Sequence, residues 1–348
     1  MKKTVRGEGF SYNVRIFLAI FLLLLLGSYS QAEEVDASSA VVVDAQSGKI
    51  LYGKNPHLKL PPASTTKLVT AIVALERLSP QDHITISRKA AKTQSVSPKL
   101  LEGEVYTVHD LIYLALMRSV NSAAVALAEA VAGSEDKFVA LMNEKVKKIG
   151  ANDTRFSNAS GLPGKNQYTT VYDLTKIISH ALSYPLIKEA IHTRVFLVRS
   201  EDGKEHFIQN TNQLLWSEDN MIGGKTGYTR MAKHCFVSAS KIQNRLVYTA
   251  LLGVPNREKL WKDTEILLAK AEDVLSGKNE AYVQLTDEKP VIKTAYKKVK
   301  ASDKNKSVYK AKGKKKIVAK KDINTKKKVG KKLQQKRESN AKINSRSI

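Results

Sequence analysis

The sequence predicts an α+β domain, on three observations. Apolar residues alternate in the manner of strands near the start of the globular region, over 38–54, and again near its end, over 235–240 and 245–253. Between those stretches the apolar spacing turns helical. Strands at both ends with helices between them place the terminal segments together in one antiparallel sheet with helices packed against it, over a domain spanning 36–277.

The elements follow in chain order. The alternation over 38–54 turns about Gln46-Ser47-Gly48, the pattern of a β-hairpin with a short loop. After Pro61-Pro62, residues Leu68, Ile72, Leu75 and Leu78 recur at helical spacing with Val69 and Val73 beside them, so Thr65 to Leu78 reads as a nearly all-apolar, buried helix. A second helix is expected from Val108 to Met117, with Asp110 in its first turn, and a third from Ala123 to Val131, stopped by Gly133. Ser119-Val120-Asn121 falls in the break between them. Val171 to Leu182 reads as a further helix, and Phe196 to Arg199 and Phe207 to Gln209 as short strands joined at Asp202-Gly203. Gln243-Asn244 separates the last two strands, and Glu258 to Leu275 closes the domain as an amphipathic helix.

Charge divides the chain. Of 348 residues, 42% are hydrophobic, and the formal net charge is +25. From Val291 onward there are 22 Lys and Arg against Asp303, Asp322 and Glu338, so +19 of that charge sits in the last sixth. A segment this poor in large apolar residues buries too little surface to offset the entropy of ordering it, so 290–348 is expected to be a disordered, lysine-rich basic tail. Its charge suits anionic lipid headgroups, at about 1 kcal/mol per lysine near a membrane, or acidic polymers.

At the other end, Lys2, Lys3, Arg6 and Arg15 precede an apolar run from Ile16 to Leu26 and the small-residue pattern Ser30-Gln31-Ala32. The run is little more than half the roughly 20 residues a membrane span needs, so residues 1–32 read as an export signal cut after Ala32 rather than as an anchor. An exported protein rarely meets nucleic acid, which removes that class of partner for the tail. Cys235 is the only cysteine, so no disulfide forms within one chain, and it reads as a buried strand residue.

Three short motifs carry chemistry. Ser64-Thr65-Thr66-Lys67 sets a hydroxyl and an amine three residues apart at a helix start, on one face, with first-turn N–H groups free for an oxyanion. A desolvated lysine near other cations has a lowered pKa and can take the serine proton. Ser119-Val120-Asn121 offers a second hydroxyl, able to relay a proton, and an amide able to bond both a lysine and a substrate carbonyl. Lys225-Thr226-Gly227 follows Gly223-Gly224 and precedes a strand; its cation and hydroxyl can hold a carboxylate, and its glycine allows close backbone approach. Each motif alone also reads as a cap or turn. Together they match a combination associated with β-lactamases and penicillin-binding proteins.

With these motifs, the segments PPASTTKLVTAIVALE, LMRSVNSAAVALAEAVAGS, RFSNASGLP, NTNQLL and GGKTGYTRMAKHCFVSAS resemble the low-molecular-mass D-alanyl-D-alanine carboxypeptidases over roughly residues 38 to 275. The resemblance implies the penicillin-binding, β-lactamase-like transpeptidase fold, with the site between an antiparallel sheet and a helical region. It implies Ser64 as acylated nucleophile, Lys67 as general base, Ser119 and Asn121 as the proton-relay and substrate-orienting pair, and Lys225 with Thr226 as a carboxylate clamp. The N–H groups of Ser64 and Tyr228, beside Gly227, then form the oxyanion hole, and Arg257 lies near the substrate's terminal carboxylate. Implied partners are peptidoglycan stem peptides and β-lactam antibiotics, with neither metal nor organic cofactor, in the periplasm or at the outer face of the bacterial cytoplasmic membrane.

The chain departs from the family in having Ser122 where aspartate is frequent and Lys233 where glycine is frequent, and neither change removes a catalytic group. Residues 278 to 348 resemble neither the second β-rich domain nor the amphipathic anchor of many relatives. A D,D-endopeptidase cutting peptide crosslinks would use the same residues. A β-lactamase lacks support, for want of a glutamate-bearing ExxLN-type loop, and a non-catalytic wall-binding scaffold is opposed by the intact motif set.

Overall fold

The computed structural model describes residues 34–286. The expected signal over 1–32 and basic tail over 290–348 lie outside them. The first two strands, β1 (Ser39–Asp44) and β2 (Ile50–Lys54), form the antiparallel hairpin expected from the alternation. The Asp44 carboxylate accepts the Ser47 N–H at 3.0 Å, and Gly48 takes a φ of +70°, which closes the turn.

A tight 3₁₀ turn over Ala63–Thr66 leads into α1 (Lys67–Leu75), so the helix expected from Thr65 is a turn followed by a shorter helix. Next come β3 (His83–Thr85), α2 (Arg88–Lys92), β4 (Val105–Thr107), α3 (Val108–Leu116), α4 (Asn121–Ala132) and α5 (Glu135–Lys148). Then follow α6 (Val171–Ala181), α7 (Pro185–His192), the hairpin of β5 (Val195–Arg199) with β6 (Glu205–Gln209), and a short α8 (Leu214–Ser217). The chain ends its described part with β7 (Met221–Thr229), β8 (Lys233–Ile242), β9 (Arg245–Val254), α9 (Arg257–Leu275) and β10 (Tyr282–Gln284). The helix starts have local causes: Thr107, Ser134, Thr170 and Asn256 each accept a first-turn N–H through the side chain, and α7 opens on Pro185.

Among the described residues, six strands make the main sheet in the order β10-β2-β1-β9-β8-β7. All neighbours are antiparallel except β10, which runs parallel to β2. β1 lies beside β9 from Ser39 opposite Leu252 to Asp44 opposite Val247, so the two ends of the domain share one sheet as expected. Alternate residues of β1 face opposite ways. Val41 and Val43 pack with the helices between β2 and β7, whereas Ala40 and Val42 pack under α9. The sheet is thus the middle layer of three.

Several elements differ from expectation. Helices α2, α5, α7 and α8, strands β3 and β4, and β10 add to the expected set. Asn121 is the first residue of α4 rather than part of the break before it. Lys225-Thr226-Gly227, expected ahead of a strand, lies inside β7, opposite Val237, Phe236 and Cys235. The glycines that give β7 its shape also erase the apolar alternation by which strands are recognised. Cys235 is fully buried in β8, and burial pushes its thiol up to about 12, far from thiolate chemistry.

Candidate active site

Ser64 stands in the turn just before α1, with backbone from two other segments pressed against it. On one side is Gly227 of β7, where an added Cβ would lie 2.8 Å from the Ser64 nitrogen. On the other is Gly161, at φ +79°, where a Cβ would fall 1.8 Å from the Ala63 carbonyl oxygen. Both positions demand glycine, one for space and the other for space and conformation. Tyr228 follows Gly227 on the outermost strand, which brings its backbone to the same edge of the cleft.

One helical turn on, Lys67 is wholly buried. Its Nζ reaches Ser64 Oγ at 2.9 Å, Asn121 Oδ1 at 2.6 Å and the Ser160 carbonyl oxygen. An ammonium can donate to all three. A neutral amine can donate to Asn121 and Ser160 and accept the Ser64 hydroxyl with its lone pair. Burial, and then the charge of Lys225, push the Lys67 pKa well below the usual lysine range, which favours the neutral form.

Asn121 is held so that its oxygen must face Lys67: its Nδ2 donates to the Gln94 carbonyl at 2.7 Å and its backbone N–H to Ser95 Oγ at 2.8 Å. Ser119, two residues earlier, takes a left-handed φ of +68°. A serine rarely adopts that conformation, and here it lines the cleft. Lys225 is also wholly buried, its Nζ donates to the Thr226 carbonyl at 2.9 Å, and burial lowers its pKa to about 7.

A cleft of about 330 Å³ opens over these groups. Ser64, Ser119, Asn121, Thr226, Tyr228 and Arg257 line it, while the two lysines lie behind its wall. Arg257, the first residue of α9, donates to the Thr211 carbonyl at 3.1 Å and lies 5.9 Å from the Trp261 ring centroid. The structure therefore gathers Ser64, Lys67, Ser119, Asn121, Lys225, Thr226, Gly227, Tyr228 and Arg257 in one place.

The cleft also holds residues that the sequence did not single out. Ser160 enters through its carbonyl, Thr211 bonds the Thr226 hydroxyl at 2.6 Å, and the His234 ring packs at a tilt against Tyr228, 4.6 Å between centroids. Thr211 lies in the NTNQLL segment and Ser160 in RFSNASGLP, both part of the resemblance but without a residue type that announces chemistry. Lys233 has a φ of +57°, a left-handed conformation that favours glycine, the residue the family resemblance leads one to expect there. Among the described residues no cluster of three or more His, Cys, Asp or Glu could hold a metal ion.

Comparison with known proteins identifies the family. The D-alanyl-D-alanine carboxypeptidase family profile matches residues 27–256. The chain is 34% identical over 223 residues to a D-alanyl-D-alanine carboxypeptidase of Bacillus subtilis, covering 63% of this chain but 57% of that protein's length. It is 32% identical over 266 residues to a D-alanyl-D-alanine endopeptidase of Escherichia coli, covering 72% of this chain and 85% of that protein. Among solved structures, a D-alanyl-D-alanine carboxypeptidase from Mycobacterium tuberculosis superposes with a TM-score of 0.65 at 29% identity, covering 70% of this chain and 93% of that one. The Streptomyces K15 DD-transpeptidase gives 0.65 at 26%, covering 69% and 98%. By fold and by sequence, this chain belongs to the D-alanyl-D-alanine carboxypeptidase family of serine hydrolases.

Proposed function

We propose that the protein is a serine-type D-alanyl-D-alanine carboxypeptidase acting on peptidoglycan stem peptides through an acyl-enzyme at Ser64. The observation that carries this reading is the wholly buried Lys67 amine, 2.9 Å from Ser64 Oγ, beside a second buried lysine. Neutral Lys67 takes the Ser64 proton as Oγ attacks the carbonyl carbon between the two D-alanines. The backbone N–H groups of Ser64 and Tyr228 receive the oxyanion. Ser119 passes a proton to the leaving nitrogen, the C–N bond breaks, and D-alanine departs. Water then cleaves the ester and frees Ser64. Thr226 and Arg257 hold the terminal carboxylate from the cleft, Lys225 adds its charge from behind the cleft wall, and Asn121 orients Lys67 and the acyl amide. β-Lactams acylate the same serine.

Incubation of the purified protein with a fluorescent penicillin, beside Ser64→Ala, tests the reading. Labelling and release of D-alanine from a peptide ending in D-Ala-D-Ala are both expected, and both are lost in the variant. Labelling without release would favour the endopeptidase reading, cleavage of peptide crosslinks; the E. coli relative, matched over 85% of its length, is named a D-alanyl-D-alanine endopeptidase. No labelling would leave a scaffold.

Export to the envelope, with the basic tail bound to anionic lipids or acidic wall polymers, completes the proposal. Among the described residues no helix is long and apolar enough to cross a membrane.

A further inference from the structure

Thr211 meets three separate parts of the cleft. Its hydroxyl lies 2.6 Å from Thr226 Oγ1 and 3.2 Å from the Met117 carbonyl oxygen. Its carbonyl accepts from Arg257 Nη2 at 3.1 Å, and its N–H donates to the Met117 carbonyl at 3.0 Å. Thr226 comes from β7, Arg257 from α9, and Met117 is the residue that caps the C-terminus of α3, two residues before Ser119. One loop residue thus ties Thr226 and Arg257 of the proposed clamp to the backbone that leads to Ser119.

The hydrogens on these two hydroxyls cannot be placed independently. A carbonyl only accepts, so when Thr211 Oγ1 gives its hydrogen to Met117, Thr226 must give its own to Thr211. The Thr226 oxygen then shows only lone pairs to the cleft, which repel a carboxylate. The Met117 carbonyl already has the Thr211 N–H, so the hydroxyl of Thr211 can turn to Thr226 without orphaning a buried acceptor. In that second arrangement Thr226 is free to donate into the cleft.

We infer that Thr211 is a positioning residue for recognition of the substrate's terminal carboxylate, acting as a hydroxyl rotor that turns the Thr226 hydrogen toward the carboxylate while its carbonyl fixes Arg257. The inference rests on the carboxypeptidase reading above, in which Thr226 and Arg257 face that carboxylate. Thr211 itself does not touch the reacting atoms. Its contribution is to leaving-group recognition and not to attack by Ser64.

The test compares two substrates that deliver the same acyl group: an N-acyl-D-Ala-D-Ala peptide, and the methyl ester of the same N-acyl-D-alanine, whose leaving group has no carboxylate. Thr211→Val, isosteric but without the hydroxyl, removes the donor that holds the Thr226 hydrogen toward the cleft and leaves a methyl group against the Thr226 oxygen, so it is expected to lower kcat/KM about tenfold for the peptide and to leave the ester within about twofold. Thr211→Ser keeps the rotor and restores the peptide. Equal losses on both substrates, or no loss on either, would overturn the inference while leaving the carboxypeptidase reading intact. A wild-type protein that hydrolyses neither substrate would overturn both.

Discussion

Lys67 and Lys225 have both given up water for the protein interior, and this drives both pKa values down. The proposed roles require opposite states: Lys67 works as a neutral base, Lys225 as a cation. Lys225 stands at about 7, so raising the pH through that value removes its proton and its attraction for a carboxylate. Raising the pH can only increase the neutral fraction of Lys67. The kcat/KM for a D-Ala-D-Ala peptide is therefore expected to fall as pH rises above about 7. The ester without a leaving-group carboxylate should lack that falling limb. Parallel pH profiles for the two substrates would show that Lys225 does not act through the carboxylate. Ser64, Lys67, Ser119, Asn121 and Lys225 were legible as residues because each brings a reactive group at motif spacing. Ser160 was not, since it contributes a carbonyl that every residue possesses.

At the scale of elements, the site depends on how closely β7 runs past the Ala63–Thr66 turn. Gly227→Ala would put a methyl group 2.8 Å from the Ser64 nitrogen and 2.9 Å from Ala63 Cβ. The strand must then move off the turn, and the N–H pair proposed for the oxyanion separates. Penicillin acylation is expected to slow about a hundredfold, the scale of losing one oxyanion donor. Stopped-flow labelling measures the rate, and circular dichroism checks that the sheet survives; an unchanged rate would mean that this edge does not serve the oxyanion. The elements legible in the sequence were those with a regular apolar pattern or a clear turn signal, among them β1, α3, α6, β9 and α9. β7 was not, because its glycines serve the site rather than the core. α5 places apolar Phe138, Met142 and Val146 inward among many charged residues, a narrower signal than that of α1.

Over the whole molecule, the charge is segregated from the catalytic domain along the chain. The 22 Lys and Arg from Val291 onward lie outside the described residues, and the described residues by themselves supply every group proposed for the reaction. Deleting 290–348 is therefore expected to leave D-alanine release unchanged. It should abolish salt-sensitive binding to anionic vesicles or isolated sacculi, measured by co-sedimentation. Retention without the tail would refute the tether. From the residues alone came the α+β class, the sharing of one sheet by the two ends, the proposed nucleophile and its companions by motif, and the division of charge. Folding alone settled which of these groups touch. Lys67 meets Asn121 across 54 positions and Ser160 across 93, and Thr211 meets Met117 across 94. The depressed pKa values of the two lysines arise from desolvation by neighbours distant in the chain, a property of packing that no local pattern of residue types contains.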